Sequence, residues 1–312
     1  MCELHKRRVD VVGSMLLLAL WIFAATAGGC TKENNHPLDV APDGYCTPRR
    51  IQYGFTVQNE SSRLVEKGQL WTFAPVKLTA TQWCEEVDAS TPFHLISDRQ
   101  GNQVLRFTLP DMPPYSCRII TIRAKLLLAA NPKAVRGEDP GVFLHPGLNI
   151  ESNDPHLVSL AQSLRKGKGD SSPERFFHWI AGNIRYDGYA GENRGALRCL
   201  NHRAGDCTEQ MYLFAALCRA AGIPARGMAG YVCDGDRILR AADYHNWAEF
   251  QKDGVWRIAD PQQRTFMANP FRYIAMRVLA SGAEGETDPL AGYHRFRVDG
   301  EGLKVKMNPY AF

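Results

Sequence analysis

Residues 204–210 have the sequence Ala-Gly-Asp-Cys-Thr-Glu-Gln, and they predict the start of a helix that carries a reactive cysteine. Asp206 and Glu209 have the spacing of a capping box, which places Cys207 at the first helical position. Apolar residues follow at helical spacing until Gly222 ends the pattern. A cysteine at a helix N-terminus faces free N–H groups and the positive end of the helix dipole, and both favour the nucleophilic thiolate. The stretch therefore indicates a nucleophile, with a small buried side chain as the simpler alternative.

A predicted hairpin further along the chain supplies partners for such a cysteine. Residues 244–250 alternate like a strand, Lys-Asp-Gly at 252–254 has the composition of a turn, and 255–260 form the returning strand. A turn on the first two of these three residues places His245 opposite Asp260, and a turn on the last two makes them diagonal neighbours. In either register both side chains share a sheet face, with Cβ atoms roughly 5 Å or roughly 7–8 Å apart. We therefore expect the aspartate to orient the imidazole, with an ordinary surface ion pair as the alternative.

Together these motifs resemble the transglutaminase-like superfamily, whose core is related to that of papain-like proteases. The matching stretches are 204–210, the helix end at 218–226, the block His245-Asn246-Trp247 and the pair Asp260-Pro261. They occur in the family's order within about residues 150–265. The resemblance implies that Cys207 attacks an amide or acyl carbonyl, that His245 transfers the proton and that Asp260 orients His245. It also implies an oxyanion site formed by the Cys207 backbone N–H and a second donor that the sequence does not identify.

Three aromatic residues near these motifs are candidates for lining a substrate cleft. Tyr186 and Trp179 precede the nucleophile and Trp247 follows the histidine, and a place in the apolar core is the alternative for each. Many members of the family have threonine where this chain has Gln262, a departure that leaves the triad intact.

The N-terminal half of the chain has the period of strands. Ile51, Tyr53, Phe55 and Val57 alternate with polar residues, and similar alternation recurs up to residue 126, which predicts a small antiparallel sandwich. Helical patterns follow, opened by Asp154-Pro155 and by Ser171 with Glu174, and strands return after residue 225. We therefore expect an α+β fold: a transglutaminase-like or papain-like catalytic domain preceded by a small antiparallel β-sandwich. The predicted parts are a signal peptide (1–29), a lipidated tether (30–49), the β-sandwich (50–128), a linker (129–150) and the catalytic domain (151–312), whose last strands complete its sheet.

The first thirty residues have the layout of an export signal. A basic start at 6–8 precedes an uncharged apolar stretch, 11–29, which closes on small residues before Cys30. The end of the stretch resembles a bacterial lipobox, although an aliphatic residue is commoner where Ala27 stands. We predict an exported lipoprotein anchored in the cell envelope through lipid on Cys30. An ordinary cleaved signal and an uncleaved anchor helix are the alternatives.

The chain has nine cysteines, which raises the questions of disulfides and of a metal site. Apart from Cys2, the lipidation candidate and the nucleophile, the cysteines are Cys46, Cys84, Cys117, Cys199, Cys218 and Cys233. Outside the cytoplasm they could form disulfides, and Cys84 with Cys117 is the pairing that we favour because both belong to the β region. Another set, Cys199, His202, Cys207 and Cys218, fits no zinc template, so we expect no metal and no cofactor. The net charge of +4, without a basic run among aromatics, argues against nucleic acid.

The predicted function is that of a cysteine-nucleophile enzyme acting on amide bonds of proteins or peptides in the cell envelope. Hydrolysis and transamidation use the same triad, and we favour hydrolysis for an exposed enzyme. A cross-linking transamidase is one alternative. A non-catalytic binding or assembly module of the same fold is another, because a fold does not determine a function. A disulfide that locks Cys207 to Cys199 or Cys233 would favour the binding module or a redox-gated enzyme.

Overall fold

In the described part of the chain, strands come first and α-helices begin only after residue 150. The structure is a computed structural model, and it describes residues 41–165, 172–279, 290 and 295–308. The strands are β1 (Thr47–Asn59), β2 (Gln69–Ala74), β3 (Gln82–Ala89), β4 (His94–Ser97), β5 (Gln103–Thr108), β6 (Cys117–Leu128), β7 (Ala225–Val232), β8 (Arg237–Ile238), β9 (Tyr244–Lys252), β10 (Val255–Asp260), β11 (Thr265–Phe266), β12 (Tyr273–Leu279), β13 (Phe296–Asp299) and β14 (Leu303–Met307). The helices are α1 (Pro155–Leu164), α2 (Ser172–Asn183), α3 (Ala196–His202) and α4 (Cys207–Ala220), with 3-10 turns at Pro140–Leu144, Ala241–Asp243 and Pro270–Arg272. The fold is α+β, as the sequence predicts.

The N-terminal predictions of export and lipidation lie outside this range. The signal peptide and Cys30 belong to residues that the structure does not describe, as does Ser171 at the predicted start of α2. Among the helices in the described part of the chain, none has the length and apolar character needed to cross a membrane.

Two facing sheets make up the N-terminal sandwich. One sheet has the strand order β14-β1-β6-β3, with β8 added parallel to β1, and the other has the order β13-β2-β5-β4. The predicted alternation is confirmed, because Ile51, Tyr53, Phe55 and Val57 are all buried. They meet Phe107 and other apolar residues of the facing sandwich sheet in one core. Burial of each such side chain stabilises the fold by roughly 1.5–3 kcal/mol.

A further antiparallel sheet, ordered β11-β10-β9-β7-β12, lies at the centre of the C-terminal half. It is separate from the sandwich and is called the second sheet from here on. Helix α4 covers one face, where Met211 and Phe214 belong to the same core as Ala248 and Phe250 of β9. The other face is covered by an aromatic cluster that includes Phe143 from the linker. Helix α4 is therefore held firmly against the strand that carries His245.

The C-terminal segment differs from the expectation that it completes the sheet of the catalytic domain. Strand β13 pairs with β2, and β14 pairs with β1, so both belong to the sandwich. The physical reason is burial, because Leu303 and Met307 of β14 enter the sandwich core. The chain thus begins in the sandwich, forms the helices and the second sheet, and ends in the sandwich.

Strand β12 is an edge strand of the second sheet, and side chains from the sandwich cover its outer edge. The buried Gln82 amide accepts from the Ala275 N–H at 2.9 Å and donates to the Ala275 carbonyl at 2.9 Å. Asn102 accepts from the Val278 N–H at 2.6 Å and donates to the Val278 carbonyl at 3.0 Å. These two amides do for the edge what a neighbouring strand would do, so no backbone group at these two residues is left unpaired.

The predicted linker is fastened to the second sheet by a buried charge network. Arg226 of β7 forms ion pairs with Glu249 of β9 and with Glu138 of the linker. Its guanidinium lies 4.1 Å from the ring centroid of Trp256, whose Nε1 donates to Glu138 at 2.7 Å. Because both carboxylates satisfy one arginine, the network has a structural role.

The favoured disulfide between Cys84 and Cys117 is wrong. Cys84 lies opposite Leu126 near one end of β6, whereas Cys117 is the first residue of that strand. Nine residues of strand separate the two positions, which amounts to roughly 30 Å at about 3.3 Å per residue. All seven cysteines in the described part of the chain are free thiols, including Cys207.

Candidate active site

The N-terminus of α4 places Cys207 as the sequence predicts. The Asp206 carboxylate accepts from the Thr208 N–H at 2.7 Å, and Glu209 accepts from the Asp206 N–H at 3.0 Å, which completes the capping box. Cys207 is therefore the first helical residue, and its side chain is half-buried. Its backbone N–H lies in the first turn, where such groups have no partner within the helix.

The β9–β10 hairpin has the second of the two predicted registers. The turn consists of Asp253 and Gly254, both with positive φ (53° and 74°), as a tight hairpin turn of this kind requires. Lys252 consequently pairs with Val255, and the register continues to Ala248 opposite Ala259. His245 and Asp260 are therefore diagonal neighbours on one sheet face.

The carboxylate of Asp260 holds the imidazole of His245 from one side. His245 Nε2 and Asp260 Oδ2 are 2.6 Å apart, and Asp260 is 1% exposed. The Tyr273 hydroxyl donates to the same oxygen at 3.0 Å, and the Gln263 N–H donates to Oδ1 at 3.1 Å. These bonds fix the orientation of the carboxylate. Neither Tyr273 nor Gln263 was predicted, and the sequence carries no motif that singles out Tyr273.

The histidine is held in a state that favours its charged form. Burial opposes the charge, but the hydrogen bonds to Asp260 and Cys207 outweigh it and raise the pKa of His245 to about 9. Since Nε2 faces the aspartate, Nδ1 is the ring nitrogen left for the thiol. The structure thus brings Cys207, His245 and Asp260 together in one connected arrangement, with the imidazole between sulfur and carboxylate.

A further hydrogen bond joins the two elements that carry the thiol and the imidazole. Asn246, next to His245, donates from Nδ2 to the hydroxyl of Thr208, next to Cys207, at 2.8 Å. The motif His-Asn-Trp contained this asparagine, but nothing in the sequence indicated its partner. The bond fixes the start of α4 relative to the start of β9.

Cys207 and His245 line a cleft of about 630 Å³, whereas Asp260 is buried behind the histidine. Its lining is about equally polar and apolar, and the polar side chains include Asn193, Arg237, Asp243, Gln262, Gln263 and Arg295. Tyr186 lines the cleft as predicted, and Tyr189, which the sequence analysis missed, lies with it. Its volume is within the range of ligand-binding sites, and Cys207 forms part of its wall.

The two tryptophans proposed for the cleft do not line it. Trp179 packs against the helical core, and the guanidinium of Arg203 lies 4.5 Å from its ring centroid. Trp247 is 1% exposed and packs against Tyr273 at 5.0 Å between ring centroids. It lies two residues deeper along β9 than His245, where other aromatic side chains cover the sheet.

Metal chemistry has no visible support in the described part of the chain. Within those residues, no group of three or more His, Cys, Asp or Glu side chains is placed to hold a metal ion.

Comparison with protein families identifies the region that carries these residues. The model of the transglutaminase-like superfamily matches residues 158–261. This part of the chain is a transglutaminase-like domain. The domain covers helix α4 and the β9–β10 hairpin, and hence Cys207, His245 and Asp260. No curated protein matches the chain at a significant level.

Solved structures resemble the protein beyond this domain. A proposed cysteine protease from Cytophaga hutchinsonii is 19% identical, with a TM-score of 0.56 over 85% of this chain and 91% of that chain. The periplasmic domain of TgpA from Pseudomonas aeruginosa is 18% identical, with a TM-score of 0.37 over 73% of this chain and 74% of that one. Red sea bream transglutaminase is 10% identical, with a TM-score of 0.30 over 71% and 50%. The first likeness supports the fold of the sandwich together with the transglutaminase-like domain.

Proposed function

We propose that the protein is a cysteine-nucleophile enzyme that cleaves amide bonds of proteins or peptides. The observation that carries the proposal is the buried His245–Asp260 pair, 2.6 Å between Nε2 and Oδ2, with its free ring side toward a thiol at a helix N-terminus. A histidine kept only for stability needs no exposed sulfur beside it, whereas nucleophilic catalysis needs all three groups in this order.

The chemistry follows from the positions of these groups. The sulfur of Cys207 attacks the substrate carbonyl carbon, and the oxyanion accepts from the Cys207 backbone N–H. The imidazolium of His245 donates its proton to the nitrogen of the leaving amine, and the C–N bond breaks to leave a thioester. Water, deprotonated by the same imidazole, then attacks the thioester and releases the acid and the free thiol. Asp260 keeps the ring oriented through both steps.

Transfer to an amine uses the same thioester, so the second step decides between hydrolase and transamidase. We favour hydrolysis because Cys207 is only half-buried in a cleft that also carries polar side chains, which gives water access to the thioester. A direct test is to incubate the full-length protein with a protein substrate and a labelled primary amine. Release of new termini exceeding amine incorporation supports the proposal. Incorporation exceeding cleavage would assign a cross-linking transamidase instead.

The nucleophile itself is tested by alkylation with iodoacetamide between pH 5 and pH 10. Wild-type protein should react rapidly well below pH 8, and His245→Ala should lose that reactivity because the thiolate loses its counter-charge. Cys199, which is buried in α3, gives the matched control variant Cys199→Ala, and it should react like wild type. Slow alkylation in both wild type and His245→Ala, rising only as a free thiol ionises, would favour the non-catalytic binding module.

We further propose that the protein acts in the cell envelope, where lipid on Cys30 anchors it to a membrane. The support is the basic start, apolar stretch and small residues that precede this cysteine. Metabolic labelling with a tritiated fatty acid should mark the wild-type protein and not Cys30→Ser. Equal labelling of both would overturn the anchor, and a mature protein beginning elsewhere would identify an ordinary cleaved signal.

A further inference from the structure

The loop between α2 and α3 forms one wall of the cleft, and two tyrosine rings distinguish this loop from the rest of the lining. The loop presents two large rings to solvent: Tyr186 is 53% exposed and Tyr189 is 69% exposed. Among the described residues, these two are the only large apolar side chains that are both strongly exposed and part of the cleft lining. The rest of the lining includes the charged side chains of Arg237, Asp243 and Arg295.

The tyrosine loop, residues 185–195, is fixed to the nucleophile helix. The Ala190 N–H donates to Asp206 Oδ2 at 3.0 Å, so the residue that caps α4 also binds the loop. Arg194 forms an ion pair with Glu209 at 2.7 Å, and Glu209 is fully buried. A second ion pair joins Arg194 to Asp187 within the loop. The two rings are therefore held at a set position relative to the thiol.

Both rings line the same cleft as Cys207 and His245. Tyr244, at the start of β9, is near enough to both Cys207 and Tyr189 for their charges to raise its pKa, although burial is the largest cause. Its ring has its own partner, the guanidinium of Arg295 at 5.0 Å from the centroid. Among the residues that the structure describes, no cation or second ring lies against Tyr186 or Tyr189, which leaves their faces available to a ligand.

An exposed aromatic pair on a fixed support binds apolar surface at little entropic cost, because the rings have few torsions to restrict. A polypeptide that enters the cleft as an extended chain presents side chains to opposite walls at alternate positions. We propose that Tyr186 and Tyr189 form a specificity subsite for a large apolar side chain of the substrate, best an aromatic one, close to the residue that is acylated onto Cys207. This inference rests on the proposed function, and it adds the kind of polypeptide that the enzyme prefers.

The test compares two active-site-directed reagents on the full-length protein. Acetyl-phenylalanyl-glycyl chloromethyl ketone carries an aromatic side chain next to the residue that becomes joined to sulfur, and its glycyl analogue, acetyl-glycyl-glycyl chloromethyl ketone, carries no ring. Wild type should be inactivated faster by the phenylalanyl reagent, and Tyr186→Ala/Tyr189→Ala should lose about tenfold of that preference, a size typical for lost aromatic contacts. Tyr186→Phe/Tyr189→Phe should retain it, because the rings remain.

Controls separate this subsite from the activity of the thiol. Tyr115 is 70% exposed and does not line the cleft, so Tyr115→Ala should keep the wild-type preference. Iodoacetamide is too small to reach the tyrosines from the sulfur, and its rate should be equal in all variants. An unchanged phenylalanyl-to-glycyl ratio in the double alanine variant would overturn the subsite.

Failure of the proposed function would have a different signature. Wild type would then react with iodoacetamide only as an ordinary thiol does. The ratio of the two ketones could still be measured near pH 10, where any accessible thiol reacts. A preference for the phenylalanyl reagent that persists at pH 10 and depends on the tyrosines would support the subsite, although the catalytic proposal would be contradicted.

Discussion

His245 has a pKa raised to about 9, and this value fixes the alkaline limit of the proposed reaction. The proton that leaves with the amine is present on the ring below that pH and is lost as the pH rises through it. We therefore expect kcat/KM to fall above about pH 9. In Asp260→Asn the hydrogen bond that raises the pKa is weakened, so the limit should move to lower pH and kcat should drop roughly a thousandfold or more.

The measurement is a full pH profile of kcat/KM for wild type and Asp260→Asn. Asp154→Asn is a suitable control, because Asp154 caps α1 far along the chain and asparagine caps helices equally well. An alkaline limit that stays at the wild-type pH in Asp260→Asn would contradict the assigned role of the carboxylate.

The hydrogen bond between Asn246 and Thr208 makes a second residue-scale prediction. Asn246→Ala removes the link between the thiol-bearing helix and the histidine strand. We expect kcat to fall about tenfold to a hundredfold with KM little changed, because misplacement by about 1 Å has costs of this order. Thr208→Val should reproduce the loss, and the double variant should lose no more than either one. Thr208→Ser, which keeps the hydroxyl, should retain activity.

The control for this pair is Asn201→Ala, at an exposed position of α3. Additive losses in the double variant would show that the two side chains act separately.

Some residues of the candidate site could be predicted from the sequence, and others could not. Cys207, His245 and Asp260 were predictable because each lies in a local pattern, a capping box or a hairpin, whose geometry is set by spacing alone. Tyr273 was not, because it reaches Asp260 from β12, and only the completed sheet order brings that strand to the site. Trp247 was misplaced because the motif indicates a residue near the site without indicating depth.

At the level of single elements, the approach of β7 to β12 leaves no room for a side chain at one position. Gly230 pairs with His245 on one side and with Ala275 on the other. A Cβ added there would lie 1.9 Å from the carbonyl oxygen of Ile274. We expect Gly230→Ala to lower the free energy of unfolding by about 2–4 kcal/mol, the upper range for single substitutions, and to impair activity through the adjacent histidine.

Urea unfolding monitored by tryptophan fluorescence measures this effect. Gly182→Ala is the matched control, because a Cβ at this position in α2 meets nothing within 4 Å. Alanine in a helix interior should stabilise that variant by up to about 1 kcal/mol. Equal unfolding midpoints for the two variants would contradict the predicted clash.

Elements whose partners are close in sequence were predicted well, and those with distant partners were not. The start of α4 and the β9–β10 turn depend on residues within a few positions of each other. Strand β14 pairs with β1 across more than half of the chain, and its alternation fits either sheet equally well. Sequence period alone indicates a strand but does not choose the sheet, which is why the C-terminal segment was assigned to the wrong one.

For the molecule as a whole, the contact of the sandwich with β12 predicts that the two parts unfold together. Gln82 is fully buried, and its amide bonds to Ala275 and to the Val76 carbonyl. Gln82→Met fills similar space but leaves buried backbone groups unpaired, so stability should fall by about 1–3 kcal/mol. The loss should appear as an earlier single transition, not as separate unfolding of one part.

Urea unfolding followed by both far-UV circular dichroism and tryptophan fluorescence checks this point. The control is Gln58→Met, at an exposed position of β1. Divergence of the two probes in wild type would mean that the sandwich and the second sheet unfold independently.

The path of the chain has one more consequence. Since β13 and β14 return to the sandwich, the helices and the second sheet are an insertion whose two ends are both tied to the same body. A single proteolytic nick between residues 129 and 137 would therefore release nothing. The nicked halves would stay associated through the C-terminal strands and the amides along β12, and they would separate only in denaturant. A cut in the connecting segment would in this way leave the cleft intact.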